Sequence, residues 1–381
     1  MKLKKLIASV MAAALCALPL TGCAGGGNSS APTDPASSGS APAVSSANVT
    51  SSAASSANDT SSKTSETSAP ASTASSVTSA ETSAPAGGDG LKVVALKGPT
   101  AMGLTKLMDD NEKNSLGYSF EIKAAPDEIS PMVAQGTADI FCVPANLASV
   151  LFNKTEGKVQ TAAINTLGVL YICEKGETVK NVSDLKGKTI YSAGKGSTPE
   201  YALNFILQSN GLDLEKDVTI EWKSEHAECL EAMLQGENCV AMLPQPFVTT
   251  AQTKNDAVKV VLDLNKEWDA LGVSSSLITG VAIVRREVAE QKPEAVKAFL
   301  SQYKESVDYV NGNVDAAAEL IGKYDIVPAA VAKKAVPNCN IVCITGTEMK
   351  DKLSGYLKVL SDNDPKAVGG KLPDDSFYFV G

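Results

Sequence analysis

The sequence has few of the side chains that most often bind metals or grip acidic ligands. It contains a single histidine, His226, so a multi-histidine metal site is excluded, and any Ser–His–Asp triad would have to use this residue. The only arginines, Arg285 and Arg286, are adjacent at the end of an apolar run. Aromatic residues make up 5% of the chain, which argues against an extensive stacking cage. We therefore expect no metal site and no cofactor.

Long apolar runs and positive charge are also scarce. Beyond the N-terminal region, no run is long and apolar enough for a transmembrane helix. The formal net charge at pH 7 is -9, and an acidic surface disfavours nucleic acid as a main partner. The residues from Gly90 onward have the mixed composition of a globular protein, and their number suggests two lobes rather than one core.

The N-terminal residues have the pattern of a bacterial export signal. Lysines near the N-terminus precede an apolar stretch from Leu6 to Leu18, which is too short to cross a bilayer as a helix. The following Leu20-Thr21-Gly22-Cys23 resembles the lipobox of bacterial lipoproteins. We predict a lipoprotein signal peptide over residues 1–22 and lipid attachment at Cys23, which would hold the protein on the extracytoplasmic face of the cell membrane. The alternative is an ordinary secretory signal in which Cys23 is incidental.

Residues 23–89 then form the predicted lipid anchor and a disordered linker rich in Ser, Ala and Thr. Such a segment has too little apolar surface to offset the entropy lost on ordering. A linker of this length suits a thick cell wall, so we expect a Gram-positive cell surface.

Six cysteines follow the linker, and outside the cell they can pair. Cys339 with Cys343 and Cys229 with Cys239 are candidate disulfides. Cys142, Cys173 and Cys239 lie in apolar runs, where cysteine behaves as a small buried hydrophobic residue. The sequence leaves disulfides and free thiols as alternatives.

One pattern of strand, turn and helix occurs twice, about 100 residues apart. Lys97-Gly98-Pro99-Thr100 follows one strand-like run, and Lys195-Gly196-Ser197-Thr198 follows another. Gln135-Gly136 and Gln235-Gly236 each end a helix and precede a strand that stops at a proline. In both cases we expect the glycine to form the left-handed helix cap and the proline to end the strand.

Strands that alternate with helices predict mainly parallel sheets, and two copies predict two α/β lobes. Ligands of open α/β sheets bind at the carboxyl ends of the strands. If the lobes face each other, the loops after these strands converge on one cleft. These loops are Lys97–Met102, Pro144–Leu147, Gly194–Glu200, Ser224–Glu228 and Pro244–Phe247.

Residues from Gly90 to Gly381 resemble an ABC-importer substrate-binding protein with the two-lobed type II periplasmic-binding-protein fold. The resemblance rests on segments that include Gly136-Thr137-Ala138-Asp139-Ile140, Asp184-Leu185-Lys186-Gly187-Lys188 and Leu243-Pro244-Gln245-Pro246-Phe247. They are most similar to binding proteins for aliphatic sulfonates, taurine, nitrate and thiamine-pyrimidine precursors. The resemblance implies a two-segment hinge, with crossings near Tyr171–Cys173 and Leu277–Gly280. Lobe 1 would comprise 90–170 and 277–381, and lobe 2 would comprise 171–276.

The predicted ligand contacts lie on the converging loops. Ser197 and Glu200 fit a capping box at a helix start, with Thr198 as an alternative cap. Free N–H groups there accept an anion or a carbonyl, although Glu200 weakens the case for a strongly anionic ligand. Amide side chains can donate and accept, which suits a neutral polar ligand. The candidate ligand-binding residues are Thr100, Met102, Asn146, Gly196, Ser197, Thr198, Gln245 and His226.

Purely structural roles remain open for these residues, such as loop hydrogen bonds for the amides and a helix start capped by Ser224 for His226. Amino-acid receptors of this fold usually use a cleft arginine, so the position of both arginines disfavours an amino-acid ligand.

The resemblance implies a monomeric receptor that closes its lobes on a small solute and delivers it to an ABC permease. The ligand would be a sulfonate or taurine-like compound or a thiamine-pyrimidine precursor. A sensor or adhesin with the same fold is one alternative. The other is an enzyme like the thiamine-pyrimidine synthases, but the chain lacks their clustered cysteine motif and carries an export signal. We therefore predict no enzyme activity and no catalytic residues.

Overall fold

The computed structural model describes residues 89–273 and 275–381, which form two mixed sheets flanked by helices. The α/β class predicted from the alternation of strands and helices is confirmed. The predicted signal peptide, the lipid-attachment site Cys23 and the linker up to residue 88 lie outside the described residues.

The strands are short and mostly apolar, as expected for strands that are covered on both faces. They are β1 (Lys92–Leu96), β2 (Ser119–Lys123), β3 (Ile140–Pro144), β4 (Val159–Leu167), β5 (Leu170–Lys175), β6 (Thr189–Ala193), β7 (Thr219–Lys223), β8 (Cys239–Pro244), β9 (Val258–Asp263), β10 (Ile278–Arg285) and β11 (Ile341–Ile344).

The helices carry one apolar face toward the sheets. They are α1 (Pro99–Met102), α2 (Thr105–Asn114), α3 (Pro126–Gln135), α4 (Ala145–Lys154), α5 (Thr198–Ser209), α6 (His226–Gln235), α7 (Phe247–Lys254), α8 (Leu264–Ala270), α9 (Arg286–Gln291), α10 (Pro293–Gly312), α11 (Val314–Lys323), α12 (Ala329–Ala335) and α13 (Gly346–Asn363).

The first sheet has the strand order β11-β4-β10-β3-β1-β2, and the second has the order β7-β6-β8-β5-β9. β1 is parallel to β2 and β3, and β6 is parallel to β7 and β8. In contrast, β10 and β5 run antiparallel to both of their neighbours. The sheets are therefore mixed rather than mainly parallel, because β5 and β10 each enter from the other sheet and run against both of their neighbours.

The two sheets repeat one topology. The order β2-β1-β3-β10-β4 in the first sheet corresponds to β7-β6-β8-β5-β9 in the second, including the antiparallel fourth strand. β3 and β8 both end at a proline, Pro144 and Pro244. The duplication predicted from the sequence is thus present in the fold.

The chain passes from the first sheet to the second at Gly168–Val169, between β4 and β5, and returns between α8 and β10. The sequence placed the first passage near Tyr171–Cys173. These residues instead pair with β8 inside β5, because the apolar run continues as a strand directly after the passage. The division into lobe 1 and lobe 2 stays a prediction.

The two Gln-Gly pairs end their helices in different ways. Gly136 has φ 67°, the predicted left-handed cap, whereas Gly236 is extended with φ −83°. After α6 the left-handed residue is Asn238, with φ 52°. Glycine is needed at position 236 for space, because a Cβ there would lie 2.7 Å from Cys239 Sγ. The second prediction of a left-handed glycine cap was wrong.

An aromatic cluster packs α13, which follows the first sheet, against helices of the second. The ring of Trp268 lies 4.8 Å from that of Phe205 and 5.5 Å from that of Tyr356, between ring centroids. Trp268 and Tyr356 are completely buried. Burying a large apolar side chain stabilises a fold by about 1.5–3 kcal/mol. This cluster therefore stabilises the packing between the two sheet regions.

Candidate functional site

The carboxyl ends of the parallel strands lead into the predicted loops, as the topology requires. β1 and β3 lead into α1 and α4, and β6, β7 and β8 lead into α5, α6 and α7. We call the residues at these ends the strand-end site. It consists of Thr100, Asn165, Thr166 and Gly280 at the first sheet and of Gly194–Thr198, His226 and Gln245–Phe247 at the second.

Gly280, near the start of β10, is surrounded by three polar side chains. A Cβ placed on it would lie 2.5 Å from Asn165 Oδ1, 2.8 Å from Thr100 Cγ2 and 3.1 Å from Thr166 Oγ1. Real Cβ atoms do not approach other atoms this closely, so only glycine fits without a shift of its neighbours. The first sheet therefore forms a compact polar floor around Gly280.

Asn165 is the most unusual residue of this floor. Its side chain is completely buried, and Oδ1 accepts a hydrogen bond from the Thr166 hydroxyl at 3.2 Å. The side chain also interacts with the Tyr303 hydroxyl and the Cys142 thiol, which are both completely buried. Asn165 therefore links the polar floor to the core of the first sheet.

Sequence reasoning missed both Asn165 and Thr166. They lie near the end of β4, a strand that also carries Gln160 and Thr161 near its start. The pair was the available signal, because polar residues at the carboxyl end of a buried strand need hydrogen-bond partners.

The structure separates the two predicted contacts of the first loop. The Thr100 hydroxyl donates to the Leu96 carbonyl oxygen at 2.7 Å, and its methyl group faces Gly280. Thr100 is the second residue of α1 and does not cap it, since the cap position is Gly98. Met102 is completely buried, and its Sδ lies 3.9 Å from Cys339 Sγ. Met102 thus belongs to the hydrophobic core, because the short helix α1 turns it inward.

Two of the protein's own side chains, Ser197 and Glu200, bond to the loop before α5. Ser197 is at the cap position, but its hydroxyl donates to the Gly194 carbonyl oxygen at 2.8 Å rather than capping the helix. The Glu200 carboxylate accepts from the Gly196 N–H at 2.5 Å. The predicted capping box is therefore absent here, because the left-handed Gly194 and Gly196 turn the loop back toward Glu200.

Asn146 and Thr198, two predicted ligand contacts, bond to each other. The Thr198 hydroxyl at the start of α5 donates to Asn146 Oδ1 in α4 at 3.1 Å. Asn146 Nδ2 donates to the Ala367 carbonyl oxygen at 3.3 Å. Both residues are almost completely buried. This bond joins the two sheet regions directly.

Gln245 links the second sheet to the passage between the sheets. Its backbone N–H donates to the Val169 carbonyl oxygen at 3.0 Å, while its Oε1 accepts from the Thr249 hydroxyl at 2.9 Å. Val169 is three residues beyond Thr166, and three residues span at most about 11 Å. The loop at Gln245 therefore lies close to the polar floor of the first sheet.

His226 and Phe247 form a ring pair beside this loop. Their ring centroids are 5.0 Å apart at 49°, and Phe247 is 38% exposed. His226 is the first residue of α6, after a cap at Glu225 rather than the predicted Ser224. Its Nδ1 is shielded from solvent and has no partner among residues 89–273 and 275–381. Burial lowers the pKa of His226 to about 4, so the ring is neutral at pH 7.

Both arginines lie at the opposite end of β10 from Gly280. Arg285 pairs with Asp139 at 2.8 Å and with Glu287 at 3.2 Å. Arg286 donates to the carbonyl oxygens of Gly157 and Ser376. They hold the base of the first sheet together and do not reach the strand-end site.

All six cysteines of the described region are free. Cys339 lies against Met102, whereas Cys343 Sγ lies 4.0 Å from the Leu300 carbonyl oxygen. Cys229 Sγ is directed to the Glu225 carbonyl oxygen and Cys239 Sγ to that of Met233. The two candidate disulfides are therefore not formed, because each thiol packs against a different part of the core.

Within the described ranges, no group of three or more His, Cys, Asp or Glu residues is arranged to hold a metal ion. The same ranges contain no helix with the length and apolar character needed to cross a membrane.

The chain matches a family model described as the phosphonate periplasmic substrate-binding protein of ABC transporters, over residues 104–333. A binding protein of Brucella abortus is 24% identical over 174 residues, which is 46% of this chain and 52% of that protein. The chain thus spans about half the length of the curated relatives it matches.

Solved structures share the fold over a larger part of the chain. An ABC transporter structure from Parabacteroides distasonis has a TM-score of 0.64 at 23% identity and covers 76% of this chain and 98% of its own. The periplasmic aliphatic sulphonate binding protein of Escherichia coli has a TM-score of 0.61 at 17% identity and covers 75% of this chain and 92% of its own.

Proposed function

The chain belongs to the family of phosphonate periplasmic substrate-binding proteins of ABC transporters, and we propose from this premise that it captures a small polar solute at the strand-end site and delivers it to a membrane permease. The family consists of substrate-binding proteins. In this proposal the two sheet regions are lobes that open and close as a monomer.

The single observation that carries the proposal is the convergence of polar loops from both sheets. The floor around Gly280 and the wall at Gln245 are joined by the short passage through Val169. A solute between them would contact both regions and would stabilise the arrangement in which they lie together.

The contacts between residues revise the proposed ligand-binding set. Asn165, Thr166 and Thr100 form the first wall, and His226 and Phe247 form the second. We propose that Asn146 and Thr198 hold the two lobes together in the closed arrangement, since their side chains hydrogen-bond to each other. Gln245 Oε1 accepts from the Thr249 hydroxyl in α7, and Met102 packs in the core. Gly196 and Ser197 shape the α5 loop at the rim.

We also propose that lipid attached to Cys23 tethers the receptor to the cell membrane, probed by fractionation of cells. The unmodified chain is expected in the membrane fraction, and Cys23→Ala is expected in the medium or the soluble fraction. Retention of Cys23→Ala in the membrane fraction would contradict lipid anchoring at this residue.

Native mass spectrometry of the purified protein tests solute capture. A receptor with its solute is expected to show a mass increase of a small molecule that disappears after denaturation and dialysis. If the protein shows no bound small molecule and gains none from cell extract or growth medium, the proposed function is wrong.

A further inference from the structure

We propose that Tyr303 in α10 is a positioning residue of the strand-end site, which sets the affinity for the solute through Asn165 without touching the solute itself. Asn165 belongs to the polar floor around Gly280, and Tyr303 is completely buried behind this floor. The inference rests on the proposed function and names a residue outside the site that controls its affinity.

Tyr303 buries a hydroxyl group in a position where a phenylalanine would fill the same space. Its ring stacks on that of Phe299, with ring centroids 5.5 Å apart at 22°, and its side chain is completely buried. Burial of a hydroxyl costs free energy unless the group has a polar partner. The side chain of Asn165 is such a partner, so the hydroxyl has a role that packing alone does not give it.

The Asn165 amide connects this hydroxyl to the polar floor. Asn165 Oδ1 accepts from the Thr166 hydroxyl at 3.2 Å, and a Cβ on Gly280 would lie 2.5 Å from the same oxygen. The Tyr303 hydroxyl and the Cys142 thiol contact the amide from the core. An amide has one accepting end and one donating end. Polar partners in the core therefore fix which end faces Thr166 and Gly280.

The same face of α10 also supports the other side of the floor. Ser306 Oγ, three residues after Tyr303, donates to the Gly103 carbonyl oxygen at 2.7 Å and accepts from the Leu107 N–H at 3.0 Å. Gly103 ends α1, the helix that carries Thr100, and a Cβ on Gly103 would lie 3.3 Å from the Tyr303 hydroxyl oxygen. Helix α10 thus contacts the floor from behind on both the Asn165 side and the Thr100 side.

Loss of the Tyr303 hydroxyl would remove one of the partners that orient Asn165. The Thr166 hydroxyl bonds to Asn165, so a reoriented amide changes the direction of a group that faces the solute. Hydrogen bonds in a buried network depend on one another. We expect the affinity for the solute to fall about tenfold, the change that corresponds to one net hydrogen bond.

The test compares Tyr303→Phe with Tyr118→Phe in the full purified chain. Tyr118 is a buried tyrosine whose ring lies 6.0 Å from that of Phe299, between ring centroids, and whose hydroxyl donates to Gln302 Oε1 in α10 at 2.8 Å. Each variant removes a buried hydroxyl beside α10, but only that of Tyr303 is directed to Asn165. Phenylalanine keeps both rings and their packing, so both variants are expected to fold, which urea unfolding checks.

The probe is the small-molecule fraction of a cell extract, added in serial dilution and followed by native mass spectrometry as occupancy of the bound mass. Tyr303→Phe is expected to need about tenfold more extract for half occupancy. Tyr118→Phe is expected to match the unmodified chain, even where urea shows a similar loss of stability in both variants.

A double variant shows whether Tyr303 acts through Asn165. Asn165→Ala alone is expected to weaken binding, and adding Tyr303→Phe to it is expected to change the half-occupancy dilution no further. A residue with a purely structural role would instead give losses of affinity that add.

Unchanged binding by Tyr303→Phe would overturn the inference but leave solute capture intact. So would an equal loss of binding in Tyr118→Phe, because any buried hydroxyl beside α10 would then have the same effect. Additive losses in the double variant would also overturn the route through Asn165. The absence of any bound mass on the unmodified chain would contradict the proposed function itself.

Discussion

At the scale of single residues, Gly280 gives the sharpest test of the polar floor. Gly280→Ala places a methyl group within 2.8 Å of both Asn165 Oδ1 and Thr100 Cγ2. Overpacking of this kind costs about 1–3 kcal/mol, so we expect a lower unfolding midpoint in urea and loss of solute binding.

Gly312→Ala is the matched control for Gly280→Ala. Gly312 ends α10, and a Cβ there would meet no atom within 4 Å. Alanine in a helix is favoured over glycine by about 0.5–1 kcal/mol, so this variant should be unchanged or slightly more stable. Equal stability of the two variants would show that Asn165 and Thr100 do not enclose Gly280.

His226 predicts a pH dependence of stability. Burial lowers its pKa in the folded chain from about 6.5 to about 4. Between these pH values the unfolded chain binds a proton at His226 that the folded chain does not, so falling pH favours unfolding. The stability gained from the neutral, buried His226 is fully present above about pH 6.5 and is lost as the pH falls through 4.

Urea unfolding of the unmodified chain and of His226→Gln at several pH values isolates this contribution, because carboxyl groups titrate in both proteins. His226→Gln should show a smaller loss of stability from pH 6.5 to 4. As this is the only histidine, its NMR titration is also unambiguous, and a midpoint near 6.5 would contradict burial of the ring.

At the scale of elements, α4 and α5 are joined by the bond between Asn146 and Thr198. Asn146→Ala leaves the buried Thr198 hydroxyl without this acceptor, so we expect a loss of about 1–3 kcal/mol in the free energy of unfolding. Thr198→Val removes the donor with little change in shape.

A double-mutant cycle of Asn146→Ala and Thr198→Val, measured in urea, gives the coupling directly. We expect the double variant to lose less than the sum of the single losses. Strictly additive losses would mean that the two side chains do not bond, and the assignment of this pair to closure would fail.

The elements also show where sequence patterns stop being informative. The Gln-Gly pairs at 135–136 and 235–236 look alike, and both do end helices. Only Gly136 takes the left-handed conformation, whereas Gly236 is extended and lies so close to the Cys239 thiol that a side chain would not fit. That contact depends on how β8 and α6 pack, which the local pattern does not contain.

At the scale of the whole molecule, the thiols report on the intact fold. Burial raises the pKa of Cys142, Cys173, Cys339 and Cys343 to about 12 and that of Cys229 to about 11. Thiolates are the reactive species, so we expect slow alkylation by iodoacetamide at pH 8 in the native protein and rapid alkylation of all six after unfolding.

Mass spectrometry after alkylation in denaturant, with and without a reducing agent, provides the control. An equal number of alkylated thiols in both samples confirms free cysteines. Two fewer in the unreduced sample would indicate that one of the pairs Cys339–Cys343 or Cys229–Cys239 had oxidised in the cell.

The sequence by itself determined the α/β class, the duplication and the loops at the strand ends, because these follow from local periodicity and turn residues. The kind of binding protein came from the resemblance of short segments to a known family. Only the tertiary structure decided which loop residues are free to meet a solute. Asn146 and Thr198 satisfy each other, Met102 is enclosed by the core, and Asn165 is buried beside Tyr303 and Cys142. These outcomes depend on side chains far apart in sequence that meet only when the two sheets pack, so no local pattern contains them.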